Sequence, residues 1–298
     1  MVSEIGELLS EPLRAYFESK GLLDLERHVK SIFIDHRDLK LHLTVFESDE
    51  KDPCVVFVHG MGLHTMFFSG FLSKLCDQGF NVFGLDIQGH GRSGGERGHF
   101  TMQEATENTS SVVGYITKNY NKRVGVMGIS LGGMISFYSV ANDPRIRSAV
   151  CCGIAHPGIP LRSSTTRLLL AMAAKLMPRK RLSLLRVVPL EKVTQDPDLQ
   201  NVIMTDELVV PEYTFKTVAS FMQVQPKIPF DQIKTPIMIM IGEKEEIIPP
   251  DYCRKVYDIL TAEKKLVVVP DAGHMLFLEY VPQTLPLVTD WFSKTLKI

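Results

Sequence analysis

The sequence predicts an α/β protein: a mostly parallel, doubly wound sheet with a helical cap inserted after the sixth strand. Three observations predict it. The short apolar run Cys54–Val58 lacks the alternation of a half-exposed strand and reads as a strand covered on both faces, and the apolar run that opens Val124–Gly133 reads as a strand leading into a turn and a helix. Segments of helical periodicity separate such runs, the order from which parallel sheets are built. Between 157 and 230 the alternation stops and helical spacing takes over, punctuated by Pro157, Pro160, Pro178, Pro189, Pro197, Pro211 and Pro226.

Composition bounds the function classes. At 298 residues, 45% of them hydrophobic, the chain can bury the core of one α/β domain plus an insertion. A net charge of -1 gives no electrostatic reason to expect nucleic acid as a partner, which would favour a strongly basic face. Cys54, Cys76, Cys151, Cys152 and Cys253 are odd in number and scattered, without Cys-x-x-Cys spacing, and read as free thiols in a reducing compartment. The start of the chain carries Glu4, Glu7 and Glu11 instead of a cationic start and an apolar core, and no run has the unbroken apolar length of a membrane span. The expected location is cytoplasmic.

Residues 1–30 read as an N-terminal helical segment. Ile5, Leu8, Leu9, Leu13, Tyr16 and Phe17 recur at helical spacing and Pro12 suits a helix start, which predicts two short helices over 3–29. The core is then 31–156 and 231–298, with 157–230 as the cap. Ser31–Ile34 and Leu39–Val45 alternate with period two around residues 35–38 and predict an antiparallel hairpin that opens the sheet. Cys54–Val58 ends in His59-Gly60-Met61-Gly62, where glycines after a buried strand leave backbone N–H groups pointing outward. A helix is expected over Met66–Gln78 and a strand over Asn81–Leu85. The glycine-dense loop from Asp86 to Gly98 must take a tight path across the strand ends, and His90 and His99 are read as structural because turn residues surround them. A helix over Gln103–Asn119 and a strand over Ile146–Gly153 complete this part.

Gly128-Ile129-Ser130-Leu131-Gly132 joins an apolar strand to the helix expected over Met134–Asn142. It has the Gly-x-Ser-x-Gly form of a nucleophile elbow, in which a serine sits strained on a tight turn with its hydroxyl exposed. Side chains at the glycines would collide with the neighbouring strand and helix. The same turn points the Leu131 N–H towards any carbonyl that the hydroxyl attacks.

Three motifs therefore stand in order: His59-Gly60-Met61-Gly62 with His64, then Asp86-x-x-Gly89-His90-Gly91-x-Ser93-x-Gly95-x-Arg97-Gly98, then Gly128-x-Ser130-x-Gly132-Gly133. Together they resemble the α/β-hydrolase superfamily, and within it the monoacylglycerol lipase and lysophospholipase group. The resemblance implies the α/β-hydrolase fold and implies Met61 and Leu131 as oxyanion donors, in agreement with the two turns. It also implies the order nucleophile, acid, histidine along the chain. After Ser130 only His156 and His274 remain. His274 follows the apolar run Val267–Val269, in the position the family uses; His156 opens the insertion and suits a substrate contact. The acid departs from the family pattern, because Glu245 stands where an aspartate is usual. Glutamate serves in such triads, but its extra methylene needs a loop set further back, which leaves Glu246, Glu243 and Asp251 as alternatives.

From Arg162 to Arg186 the cap carries Arg162, Arg167, Lys175, Arg179, Lys180, Arg181 and Arg186 without an acidic residue, interleaved with Leu168, Leu169, Leu170, Met172, Leu176, Met177, Leu182, Leu184 and Leu185. A basic helix with a wide apolar face suits peripheral contact with an anionic lipid surface, and its apolar face suits an acyl pocket; packing on the core with charges in solvent is the plain alternative. The expected function is a serine hydrolase of carboxylic esters, acting on a small-molecule lipid-like acyl ester such as a monoacylglycerol or lysophospholipid. Ser130 is the nucleophile that forms the acyl-enzyme, His274 the base and Glu245 the orienting acid, with no metal or organic cofactor required. The alternatives are an acyl-thioesterase, an amidase or peptidase on the same triad, and a non-catalytic ligand-binding protein of this fold. Epoxide hydrolases and haloalkane dehalogenases of the fold carry an aspartate where Ser130 stands.

Overall fold

A computed structural model describes residues 2–24, 27–154, 164–186, 188–223 and 226–296. His156 and Arg162 lie outside the described residues, as does the side chain of Arg167. In chain order the elements are β1 (Val2–Glu4), α1 (Ile5–Leu8), α2 (Glu11–Lys20), β2 (His28–His36), β3 (Leu39–Phe46), β4 (Cys54–Val58), α3 (Ser69–Asp77), β5 (Asn81–Leu85), α4 (Met102–Asn119), β6 (Val124–Ile129), α5 (Leu131–Asn142) and β7 (Ile146–Cys152). The segment that follows carries α6 (Ser164–Leu176), β8 (Arg181–Ser183), α7 (Leu190–Val193), α8 (Pro197–Thr205), β9 (Glu212–Thr214) and α9 (Phe215–Ser220). The main sheet resumes with β10 (Ile237–Gly242), α10 (Pro250–Ile259) and β11 (Lys264–Val269), and the chain closes with α11 (Leu276–Glu279) and α12 (Val281–Leu296).

Among the described residues nine strands form one sheet in the order β1-β2-β3-β5-β4-β6-β7-β10-β11. From β5 to β11 the neighbours run parallel, while β1, β2 and β3 add an antiparallel margin. Every residue of β4 and β6 is buried, as a strand between two helical layers requires. The two-residue period divides each run between two cores. Val56, Val58 and Val126 face the side packed by α4 and α5, whereas Val55, Phe57, Met127 and Ile129 face the side packed by α3 and α12.

Three expectations need correction. Val2–Glu4 pairs antiparallel with β2, so the cap follows the seventh strand and the N-terminal segment is not wholly helical. Three residues are too few to display a period. The basic run to Arg186 is not one helix either: α6 stops at Leu176, Pro178 follows, and Arg181–Ser183 pairs with Glu212–Thr214 as a small second sheet. Proline lacks the N–H that would continue the helix and disfavours helical geometry in the residue before it.

Candidate active site

Ser130 sits between β6 and α5 with φ 56° and ψ -120°, a conformation a side chain adopts only when its surroundings enforce it. The enforcement is visible. A Cβ on Gly128 would run into the Gly132 carbonyl, and one on Gly132 into the carbonyls of Val58 and His59, so the turn closes only with hydrogens at these two positions. The Ser130 N–H donates to the Cys152 carbonyl (2.8 Å), and the Ser130 carbonyl accepts from the Met134 N–H (3.0 Å). Leu131 is the first residue of α5, so its N–H has no helical carbonyl behind it and lies at the positive end of the helix dipole. The loop after β4 runs alongside: a Cβ on Gly60 would come within 3.7 Å of the Ser130 Cβ. Met61 and Leu131 border the same cavity as Ser130.

His274 follows β11 and is 7% exposed; its Nδ1 lies 2.7 Å from Oε2 of Glu245, itself 8% exposed. The other carboxylate oxygen accepts the N–H groups of Ile247 (2.6 Å) and Ile248 (3.2 Å). Burial by itself would raise the Glu245 pKa, but the His274 hydrogen bond and charge together with the two backbone donors outweigh it and hold the carboxyl below its usual value. An ionised Glu245 accepts a hydrogen bond from the Nδ1–H of His274 and leaves the Nε2 lone pair free. The two loops that carry Glu245 and His274 are laced together. The Glu243 N–H donates to the Val269 carbonyl (3.0 Å) and the Lys244 N–H to the Ala272 carbonyl (2.8 Å), while a Cβ on Gly242 would collide with the carbonyls of Ala272 and Gly273.

The other carboxylates are occupied elsewhere. Glu246 faces Lys192 at 3.7 Å near the surface, Glu243 accepts the Asp271 N–H (3.0 Å), and Asp251 is exposed in the first turn of α10.

Ser130 and His274 open into one cavity of about 870 Å³. The cap supplies much of its wall, including Leu184, Leu190, Val193, Ile203, Met204 and Phe221, and the polar groups at its margin include Arg186, Lys192, Asp206 and Glu246. Asp206 is buried, accepts from the Ser10 hydroxyl (2.6 Å) and meets His64 Nε2 at 3.1 Å. Burial would raise its pKa, but the hydrogen bonds and the His64 charge bring it below the usual value. Sequence reading did not single out Asp206, because a lone aspartate after a short helix carries no periodic signal.

His59 is buried, its pKa pushed down to about 4 by desolvation, and its Nε2 accepts the Ile87 N–H (3.2 Å). His99 meets the Thr214 hydroxyl at 3.0 Å. The His59 side chain ties the loop after β4 to the loop after β5, and His99 ties the glycine-rich loop to β9. Among the described residues, no three His, Cys, Asp or Glu side chains are grouped as a metal ion would need, and no helix is long and apolar enough to cross a membrane.

Comparison with known proteins gives the family. The family model described as "Serine aminopeptidase, S33" matches residues 49–280. An uncharacterized 31.7 kDa protein from the traX-finO intergenic region of Escherichia coli is 27% identical over 285 residues, covering 88% of this chain and 99% of the relative. A monoacylglycerol lipase of Mycolicibacterium smegmatis is 28% identical over 262 residues, covering 81% of this chain and 89% of the relative. The crystal structure of Paleococcus ferrophilus monoacylglycerol lipase superposes with a TM-score of 0.74 at 24% identity, covering 86% of this chain and 99% of that one. With its parallel sheet, strand-to-helix serine turn and matched span, the chain belongs to the serine aminopeptidase S33 family, a hydrolase of the α/β-hydrolase fold that resembles the monoacylglycerol lipases.

Proposed function

We propose that the protein hydrolyses carboxylic esters of lipid-like acyl groups, of the monoacylglycerol or lysophospholipid class, through an acyl-enzyme on Ser130. The observation that carries this reading is a strained serine and a histidine on one largely apolar cavity, with the far nitrogen of that histidine held by a buried glutamate. Ser130 attacks the ester carbonyl while His274 Nε2 takes its proton and later delivers it to the leaving alcohol. Glu245 orients the imidazolium, the N–H groups of Met61 and Leu131 receive the oxyanion, and water then releases the acid. The apolar wall favours an acyl chain.

An aminopeptidase needs a carboxylate to receive an α-ammonium group; among the described residues Asp206 and Glu246 line the cavity, the first held by Ser10 and His64 and the second 3.7 Å from Lys192. A thioester shares the acyl half of the substrate and is the alternative that the pocket least opposes. The outer face of α6 supports a second part of the proposal, contact with anionic lipid: Leu168, Leu169, Met172 and Leu176 are 62%, 61%, 52% and 74% exposed beside Lys175, Arg179 and Lys180. Five free, buried cysteines support a cytoplasmic placement.

Ser130→Ala, compared with the wild type on p-nitrophenyl esters of increasing chain length, tests the reading. The variant should melt normally and lose a factor of about 10⁴ or more in turnover. Each buried methylene contributes about 0.8 kcal/mol, so kcat/KM of the wild type should rise about three- to fourfold per carbon until the pocket is full. A profile that falls beyond acetate or butyrate removes the acyl pocket, and an active Ser130→Ala removes the nucleophile.

A further inference from the structure

The cap grips the oxyanion loop twice at Gly62. The Gly62 N–H donates to the Tyr213 phenol oxygen (2.9 Å), and the Gly62 carbonyl accepts the Val210 N–H (2.8 Å). Tyr213 belongs to β9 and Val210 to the strand's approach, so both partners come from the cap. Gly62 has φ +76°, and a Cβ there would lie 2.9 Å from the Val210 carbonyl oxygen, so only glycine fits under this grip. The grip is itself braced: the Arg97 guanidinium donates to the carbonyls of Leu208 (2.6 Å), Val209 (3.3 Å) and Gly91 (3.2 Å), and the Thr214 N–H donates to the Gly98 carbonyl (3.1 Å).

The proton positions in this network follow from its geometry. Tyr213 is fully buried and its hydroxyl also meets Nε2 of buried His90 at 2.6 Å, while His90 Nδ1 faces the Gln88 carbonyl at 3.2 Å. A carbonyl only accepts, so Nδ1 carries the His90 proton and Nε2 is bare. The Tyr213 O–H therefore donates to Nε2, and its oxygen lone pairs are left for the Gly62 N–H. Burial holds the His90 pKa well below its ordinary value, which keeps the ring neutral and this arrangement intact.

We propose that Tyr213 is a positioning residue for the oxyanion hole, so that the cap completes the catalytic machinery as well as walling the cavity. This rests on the ester-hydrolase reading, in which the Met61 N–H receives the oxyanion. The Gly62 N–H lies on the peptide immediately after Met61, so holding that peptide plane restrains the Met61 backbone and, through it, the aim of the Met61 N–H on the preceding peptide. Without the phenol, a buried N–H loses its acceptor, and the peptide turns to find another. The loss falls on the transition state, because the negative oxygen exists only there.

The test compares wild type, Tyr213→Phe, His90→Leu and the double variant on one soluble medium-chain ester, with melting temperatures as a check on folding. Tyr213→Phe should lower kcat about tenfold with KM within about twofold, a fraction of the 100- to 1,000-fold cost of removing an oxyanion donor outright. Its affinity for a trifluoromethyl ketone, which forms a hemiketal oxyanion on the serine, should fall by the same factor, while affinity for the matched secondary alcohol, which forms none, should hold. His90→Leu should lose less, and the double variant no more than Tyr213→Phe, because the two act through one path. Wild-type kcat in a folded Tyr213→Phe, or an equal loss of alcohol binding, overturns the proposal. Should Tyr213→Phe fail to fold, the His90 tautomer in the wild type, read by ¹⁵N NMR, decides: a proton on Nδ1 sustains the network and one on Nε2 overturns it. Failure of the hydrolase reading has a different signature, a Ser130→Ala variant as active as wild type.

Discussion

Replacing Glu245 by glutamine changes one oxygen to an amide nitrogen, and the surroundings decide which one. Oε1 accepts the N–H groups of Ile247 and Ile248, whereas Oε2 faces His274 Nδ1 at 2.7 Å. If the amide nitrogen took the first site, it would confront two donors and leave them unsatisfied in a buried place, at about 1 to 3 kcal/mol each. The amide oxygen therefore stays with the backbone N–H groups and the amide nitrogen turns to His274. That group donates, so Nδ1 must become the acceptor and the ring proton moves to Nε2. A protonated Nε2 cannot take the proton of Ser130. The expected loss in kcat is about 10³- to 10⁴-fold, or about 4 to 5.5 kcal/mol of barrier, with folding preserved because the shape is unchanged. The assay is steady-state hydrolysis of p-nitrophenyl butyrate at neutral pH, beside Glu243→Gln and Glu246→Gln, each of which should change turnover by less than about threefold. Retention of activity within tenfold in Glu245→Gln, or a larger loss in either neighbour, would refute the assignment of the acid.

Three further outcomes are expected. Gly132→Ala drives a Cβ into the carbonyls of Val58 and His59, so it should destabilise the fold by about 2 to 3 kcal/mol in urea titration; a wild-type midpoint would show that the turn relaxes freely. His59 and His90 are both held below the ordinary histidine value of 6.5 by burial, so the unfolded chain binds the extra protons and stability present above pH 6.5 should be lost as pH falls towards 4, at about 1.4 kcal/mol per pH unit for each fully protonating site. Stability that is flat between pH 7 and 5 would contradict this. Leu169→Gln with Leu176→Gln should weaken binding to anionic vesicles while leaving hydrolysis of a soluble ester nearly unchanged, and wild-type binding should fall as salt screens Lys175, Arg179 and Lys180 over about 10 Å at 0.1 M; absent or salt-independent binding removes the lipid-contact proposal.

The parts of this molecule that were legible in the sequence are those whose physics is local. Cys54–Val58 and Asn81–Leu85 are strands with the expected boundaries, because a strand buried on both faces is an apolar run closed by turn residues at each end. The Ser130 turn was legible for the same reason: the clashes that demand Gly128 and Gly132 arise around a sharp turn of a few residues, so the demand appears as a spacing. Val2–Glu4 was not, since three residues cannot show a period and its pairing with β2 is a matter of tertiary contact.

Which carboxylate meets His274 was a tertiary decision. Glu243, Glu245 and Glu246 are chemically near-equivalent in sequence, and the choice is made by the lacing of the acid loop onto Val269 and Ala272, which turns Glu245 inward and its neighbours outward. Tyr213 is further still from prediction: it lies 151 residues from Gly62, in a short strand with nothing unusual in its composition. The sequence by itself determined the central strands, the serine turn and the family resemblance, because periodicity and turn sterics act over a few residues. Only the tertiary structure decided the partner of His274 and the hold of the cap on the oxyanion loop, because those contacts depend on how distant segments pack and which buried donors must be satisfied.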